Sequence, residues 1–222
     1  MAKSESEVIG SQNNRVVADS KAKKKSLSYQ LYLTNKRSID IVGSIVGLIL
    51  SLPIMVLTAI AIKLESSGPI IFKQTRMGLY GEEFTIYKFR SMVANAEKKT
   101  GPVWAKENDS RITRVGEFIR RTRIDELPQF VNILKGDMSL VGPRPERAVF
   151  VEEFTKEYPQ FKDRLYVRPG VTGLAQVTGG YELSPHQKAR LDLLYIEKQG
   201  LLLDIKILFK TILVIIFGEG AR

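Results

Sequence analysis

Apolar residues fall along the chain in three rhythms. From Ile39 to Ile62 they are nearly continuous, and Asp40 is the only charge in that run. As a straight helix it extends ~36 Å, enough to cross a hydrocarbon core of ~30 Å. Pro53 lies near its middle, after Ser51 and Leu52. Proline removes one amide from the helical ladder, so a kink is expected there. Lys36 and Arg37 precede the run, and Lys63, Lys73 and Arg76 follow it. That gives no charge asymmetry, as expected if both ends lie on one side of a membrane. Two topologies fit. One is a re-entrant pair of short helices broken at Ser51 and Pro53, with Ser51 bonding a carbonyl freed at the kink; the other is a proline-kinked span.

The second rhythm is short and rich in β-branched and aromatic residues. Ile70-Ile71-Phe72 and Phe84-Thr85-Ile86-Tyr87-Lys88-Phe89-Arg90, with Gly78 and Gly81 between them, predict a β-hairpin. The third rhythm is helical. Ile112, Val115, Phe118 and Ile119 form a stripe, and Phe130, Val131, Ile133 and Leu134 form another that Gly136 can stop. Leu201–Phe217 is rich in Leu, Ile and Phe but carries Asp204, Lys206 and Lys210. It reads as a helix lying in a membrane interface with its lysines turned to the headgroups.

Charge sharpens this picture. The net charge is +10, and residues 1–38 hold eight Lys/Arg against three Asp/Glu, a net of 8 − 3 = +5. A basic segment beside an apolar one suits an anionic lipid surface. The apolar run begins too late for a signal peptide. With no cysteine, disulfides, thiolate zinc sites and cysteine nucleophiles are excluded. The single histidine, His186, follows Ser184-Pro185, a helix-start signature that places it in an exposed first turn. Residues 95–110 read as a loop in which Trp104 either stacks on a base or sugar or anchors the loop.

The candidate chemistry lies in Arg121-Thr122-Arg123-Ile124-Asp125-Glu126-Leu127-Pro128-Gln129-Phe130. Asp125 reads as an N-cap, with Pro128 in the first helical turn. A carboxylate there is steadied as the anion by the helix dipole and nearby arginines, which makes it a poor proton donor but a usable nucleophile toward phosphorus. On these residues alone, a structural cap held by Arg120, Arg121 or Arg123 is the favoured reading. Lys73, Arg76, Lys88 and Arg90 on the hairpin suit either a pyrophosphate or a solvated basic edge. Two rigid loops follow. Gly142-Pro143-Arg144-Pro145 presets a guanidinium, and Arg168-Pro169-Gly170-Val171-Thr172-Gly173 has glycines that would permit close approach to a phosphate or base.

Taken together, the run IDELPQFVNILKGDMSLVGPRP, with KFRSM before it and RPGVTGLAQVTG after it, resembles the monotopic phosphoglycosyltransferases, the bacterial sugar transferases that prime polysaccharide and glycoconjugate assembly. The likeness covers roughly residues 36–222. It implies a re-entrant helix in one leaflet of the inner membrane and an active site on the cytoplasmic face. It also implies transfer of a sugar phosphate from a UDP-sugar to a polyprenyl phosphate such as undecaprenyl phosphate, with release of UMP and a covalent phosphosugar intermediate. By matching position Asp125 would be the nucleophile and Glu126 its partner in proton transfer or metal placement, with Mg2+ held by both. Lys88, Arg90, Arg121, Arg144 and Arg168 would bind phosphate or nucleotide. Two positions depart from the family pattern: Leu52 separates Ser51 from Pro53, and Arg123 stands where a small serine is usual.

The expected class is therefore α+β and mainly helical: a re-entrant helix-break-helix, a small β-hairpin and interfacial amphipathic helices around a cytoplasmic-face active site. The expected divisions are a basic flexible tail over 1–34, a membrane-anchoring helical hairpin over 35–66 and a catalytic domain over 67–222. Anionic lipids and the two substrates are the expected partners, and the apolar C-terminal helix leaves room for a homo-oligomer. A nucleic-acid-binding protein would need polar residues where Ile39–Ile62 and Leu201–Phe217 stand. A non-catalytic membrane scaffold is the other competing reading.

Overall fold

The structure is a computed structural model that describes residues 26–96, 101, 109–180 and 183–217. Most of the expected tail, Trp104 and its loop lie outside the described residues. Helix α1 covers Leu27–Glu65, about 58 Å if straight. It takes in residues 27–34, which were expected in the tail, because Tyr32 is buried and bonds the buried Asp204 at 3.0 Å. Pro53 lies inside α1, so the chain stays helical on both sides of the expected break. Proline deprives only the carbonyl four residues back, and the flanking ladder carries on. That carbonyl belongs to Ile49. Ser51 bonds instead to the Leu48 carbonyl at 3.5 Å and the Met55 sulfur at 3.4 Å. A serine on a helix reaches back three or four residues, not two.

The faces of α1 are reversed relative to a water-soluble helix. Asp40, Ser44, Ser51, Thr58 and Ile62 are buried. Their spacings of 4, 7, 7 and 4 put them on one stripe. Val42, Ile49, Leu50, Leu52, Leu57 and Leu64 are exposed on the other sides, 58–82%. A helix with polar groups turned inward and aliphatic groups turned outward is matched to hydrocarbon.

Both halves of α1 rest on the same body. Strands β1 (Ile71–Met77) and β2 (Glu83–Phe89) pair antiparallel as the expected hairpin, Ile71 opposite Phe89 and Met77 opposite Glu83. Helix α2 covers Arg114–Arg121 and α3 covers Gln129–Lys135. Ile62 packs with Phe89 and Ile119, joined by Met55, Ala59 and Val115. Further toward the N-terminus, Gly47 lies where a Cβ would come 2.7 Å from the Phe130 ring, so only glycine allows α1 that close to α3. Ile86, Ile133 and Met138 form the core behind α3.

The remainder was less visible in advance. Strands β3 (Ser139–Val141) and β4 (Gly170–Thr172) pair in parallel. Three residues each are too few for alternation to show. A Cβ on Gly170 would lie 2.1 Å from the Gly142 amide nitrogen. The loop glycines thus serve the close approach of two backbones rather than of a phosphate. Helices α4 (Ala148–Glu157), α5 (Leu174–Thr178) and α6 (Pro185–Lys198) complete the body. Ser184 and Gln187 form a capping box at the start of α6, and His186, exposed in its first turn, meets the Tyr158 ring edge-on. The last helix, α7 (Leu201–Phe217), exposes Leu202, Phe209, Ile216 and Phe217 at 63–70%. Its Asp204 turns inward to Lys36 at 2.8 Å and to Tyr195 at 2.8 Å.

Candidate active site

The turn between α2 and α3 carries the acidic pair. Thr122 closes α2, Arg123 takes a left-handed conformation at φ 57°, and Ile124–Glu126 form one 3₁₀ turn. Regular helix resumes only at Gln129, with Pro128 as its N-cap. Asp125 is therefore not the N-cap that its sequence suggested. Proline, lacking an amide, suits the helix start itself and leaves the carboxyls one turn earlier.

Both carboxyls are 8% exposed but differ in company. Glu126 receives Lys88 Nζ at 2.9 Å on Oε1. Arg144 Nη2 bonds the same oxygen, while its Nη1 lies 3.3 Å from Oε2. The nearest cation to Asp125 is the same Lys88, 3.9 Å from Oδ2. Among the described residues the Asp125 carboxyl accepts no hydrogen bond. Burial pushes its pKa up to about 6; Lys88 opposes the rise and the Glu126 charge adds to it. Burial would raise Glu126 too, but Arg144 and Lys88 overcome it and hold that carboxyl well below its ordinary value. The sequence had suggested the reverse, an Asp125 anion steadied by guanidinium groups.

Each cation has its own support. Lys88 leaves β2 on the same side as buried Ile86, facing α3. Arg144 sits in the loop after β3. Its carbonyl accepts from Arg164 Nη2 at 2.8 Å, and the Pro143 carbonyl accepts from the Gly170 amide at 2.9 Å. Arg76 bonds the Pro145 carbonyl at 3.2 Å and the Glu146 carboxylate at 3.1 Å. Arg164 in turn pairs with Asp192 of α6 at 2.8 Å, and both are buried. A cleft beside Arg144 is lined by Arg123, Arg164, Lys188, Glu146 and Asp192.

The other candidate residues stand elsewhere. Arg90 is buried and bonds the Ser66 carbonyl at 2.9 Å and the Ser67 carbonyl, closing the chain after α1. Arg121 ends α2 with its side chain exposed. Arg168 donates from Nε to the Gly136 carbonyl at 3.1 Å. It lines a separate cavity of about 200 Å³ with Tyr29, Lys36, Tyr166 and Tyr195. Ser51 and Pro53 belong to α1. The resemblance implies a phosphate role for Arg90 and Arg168; in the structure their guanidinium groups bond backbone carbonyls. Arg164 and Asp192 were missed. One signal was available, since Asp192 falls on the buried stripe Ala189, Asp192, Ile196 of α6. A charge on a core face implies a buried partner.

A buried acidic pair crowned by lysine and arginine has the chemistry to receive anionic groups, and the same body carries a long helix with aliphatic residues facing outward. Residues 31–218 match the family described as bacterial sugar transferase, and the chain belongs to that family. It is 49% identical over 195 residues to the UDP-N-acetylgalactosamine-undecaprenyl-phosphate N-acetylgalactosaminephosphotransferase of Aeromonas hydrophila, covering 86% of this chain and 46% of that one. With the galactosyl transferase CpsE of Streptococcus agalactiae it shares 42% identity over 202 residues, 86% of this chain and 44% of the relative. The UDP-glucose:undecaprenyl-phosphate glucose-1-phosphate transferase of Caulobacter vibrioides is 43% identical over 184 residues, 80% of this chain and 68% of the relative. The chain thus spans under half the length of the first two relatives.

Proposed function

We propose that the protein transfers a sugar 1-phosphate from a UDP-sugar to a polyprenyl phosphate, undecaprenyl phosphate by analogy with its relatives' names, and so starts assembly of a polysaccharide or glycoconjugate. The observation that carries this reading is the division of labour between the carboxyls. Glu126 holds Lys88 and Arg144 in place, while Asp125 keeps its oxygens uncommitted beside Lys88. In the first step Asp125 Oδ attacks the β-phosphorus of the donor, the bond to the bridging oxygen breaks, and UMP leaves. In the second, a phosphate oxygen of the polyprenyl phosphate attacks the same phosphorus and releases Asp125. Lys88 and Arg144 are placed to orient the diphosphate and neutralise charge during transfer. Glu126, held as an anion, is a poor proton carrier; its part is to orient the cations.

Mg2+ fits the donor set chiefly through Asp125, since Glu126 already receives two cations. Magnesium accepts one or two carboxylates and completes its shell with phosphate oxygens and water, so the pair suffices. When bound, it would neutralise diphosphate charge.

The same reading places the chain on the cytoplasmic face of the bacterial inner membrane, with α1 entering one leaflet and returning by a bend at Pro53. Support comes from α1 itself, whose two halves rest on one body and whose aliphatic residues face outward. A helix crossing the membrane would carry one half away from that body. Cysteines at Ser38 and Lys63 are expected to label from the cytoplasmic side together, and labelling from opposite sides would establish a span. For the chemistry, full-length protein in lipid is given a panel of UDP-sugars with Mg2+ and no acceptor. Intact mass should rise by one phosphosugar with release of UMP; steady turnover with no adduct would refute the covalent step.

A further inference from the structure

Helix α1 does more than offer an apolar surface. Arg37 donates from Nη1 to the Ile133 carbonyl at 2.6 Å and from Nη2 to the Leu134 carbonyl at 2.9 Å. Those carbonyls belong to the last turn of α3, where the dipole is negative, and the Ile133 carbonyl also accepts from the Gly136 amide at 3.0 Å. At the other end of α1, Glu65 accepts from the Arg114 amide at 2.8 Å and from the Val115 amide at 3.1 Å. Those amides open α2, where the dipole is positive. One helix thus closes the C-terminal end of α3 with a cation and the N-terminal end of α2 with an anion.

The turn bearing Asp125 and Glu126 lies between these two ends. Residues 122–128 separate α2, eight residues long, from α3, seven residues long. Helices of two turns have little stability of their own, so their placement depends on what holds them. The dyad turn is anchored inside by Lys88 and Arg144 and outside by α1. Between the clamps, Asp40 accepts from Ser139 Oγ at 3.0 Å and from the Leu140 amide at 2.9 Å, fixing the strand that leads to Arg144.

We propose that Arg37 and Glu65 are positioning residues: by gripping the outer ends of α2 and α3, the membrane helix sets where the Asp125 carboxylate stands relative to the bound phosphorus. This rests on the reading of Asp125 as nucleophile. Such a grip ties catalysis to the shape α1 adopts in lipid, because any change in the angle or distance between its ends is delivered to the dyad turn.

The test uses full-length protein in lipid vesicles, comparing Arg37→Met, Arg37→Lys, Glu65→Gln and the double variant Arg37→Met/Glu65→Gln with a control, Lys63→Met. Lys63 is an exposed cation on the same helix. A displacement of about 1 Å at a reacting group can reduce rate about a hundredfold. Arg37→Met should therefore lower kcat about tenfold or more, and the double variant further, while KM for donor stays within about twofold. Arg37→Lys should recover part of the loss, and Lys63→Met should match the unsubstituted protein. Adduct formation with donor alone separates positioning from folding: the rate should fall while the final adduct per protein stays complete. Variants that form adduct at the normal rate, or that lose only the fraction of protein able to react, overturn the proposal. If the unsubstituted protein turns over without adduct, the Asp125 reading fails instead, and kcat against KM alone decides the role of Arg37 and Glu65.

Discussion

Asp125, in the turn before α3, and Asp192, within α6, are buried carboxyls both pushed up to about 6 by burial. Their surroundings differ. Asp192 pairs with Arg164 at 2.8 Å, and that arginine also holds the Arg144 carbonyl. Asp125 has Lys88 at 3.9 Å and gives the short contacts to its neighbour Glu126. A perturbed pKa therefore does not identify the reacting group here, since both regions share one. What distinguishes them is whether the carboxyl is committed. Asp192 closes an internal ion pair, whereas Asp125 faces an anion site whose cations are fixed by another residue.

The largest effect should come from Asp125→Asn. Removal of the proposed nucleophile is expected to lower turnover at least about 10⁴-fold, with no adduct by intact mass. The melting temperature should not fall, because a buried charge without a hydrogen-bonding partner is lost. Substantial residual turnover would place the reacting group elsewhere. Next is Lys88→Met, which removes a cation lying within 4 Å of both carboxyls. A loss of about 10²- to 10³-fold in kcat is expected. Without Lys88 the Asp125 pKa should climb further, so the acid limb of the rate profile should move to higher pH.

That profile supplies a third prediction. On the proposed mechanism attack requires ionised Asp125, so rate should rise through pH 6, and at pH 5 it should be about tenfold below the plateau. Stability should move the other way. Both aspartates have folded pKa values above the ordinary ~3.9, so between about pH 4 and 6 the folded state binds more protons and loses stability as pH rises. Glu126, shifted downward, contributes the opposite slope, lost as pH falls below about 4. Thermal melts across pH 4 to 7 check the direction: a melting temperature that rises from 4 to 6 would contradict the burial argument.

Much of this comparison was legible in the residues, for reasons that can be named. The hairpin showed because β-branched and aromatic runs flank its glycines, and α1 showed because its aliphatic run is long. The acidic pair stood out between arginines. Which carboxyl takes the cations was not legible, because Lys88 and Arg144 come from β2 and from the loop after β3, far from the dyad in sequence. The N-cap reading of Asp125 failed because a 3₁₀ turn intervenes and Pro128 takes the cap. Arg37 and Glu65 read as ordinary flanking charges of an apolar run. Their bonds to opposite ends of α3 and α2 exist only once α1 lies along the body.

Asp192→Asn makes the smallest change in chemistry and tests the comparison from the other side. It leaves Arg164 buried with its bond to the Arg144 carbonyl but without its counter-charge. Breaking one side of a buried pair costs about 3–5 kcal/mol, so a marked fall in melting temperature is expected. The stability slope between pH 4 and 6 should become shallower with it, the remainder coming from Asp125 and from Asp40 and Asp163, whose pKa values burial also raises. Turnover per folded molecule should change by no more than about threefold, because the Arg144 side chain keeps its own bonds to Glu126. The acid limb near pH 6 should stay where it is, since that limb belongs to Asp125. If Asp192→Asn instead abolished the limb while the protein stayed folded, the two aspartates would have to exchange roles, and commitment to an ion pair would no longer separate a structural carboxyl from a reacting one.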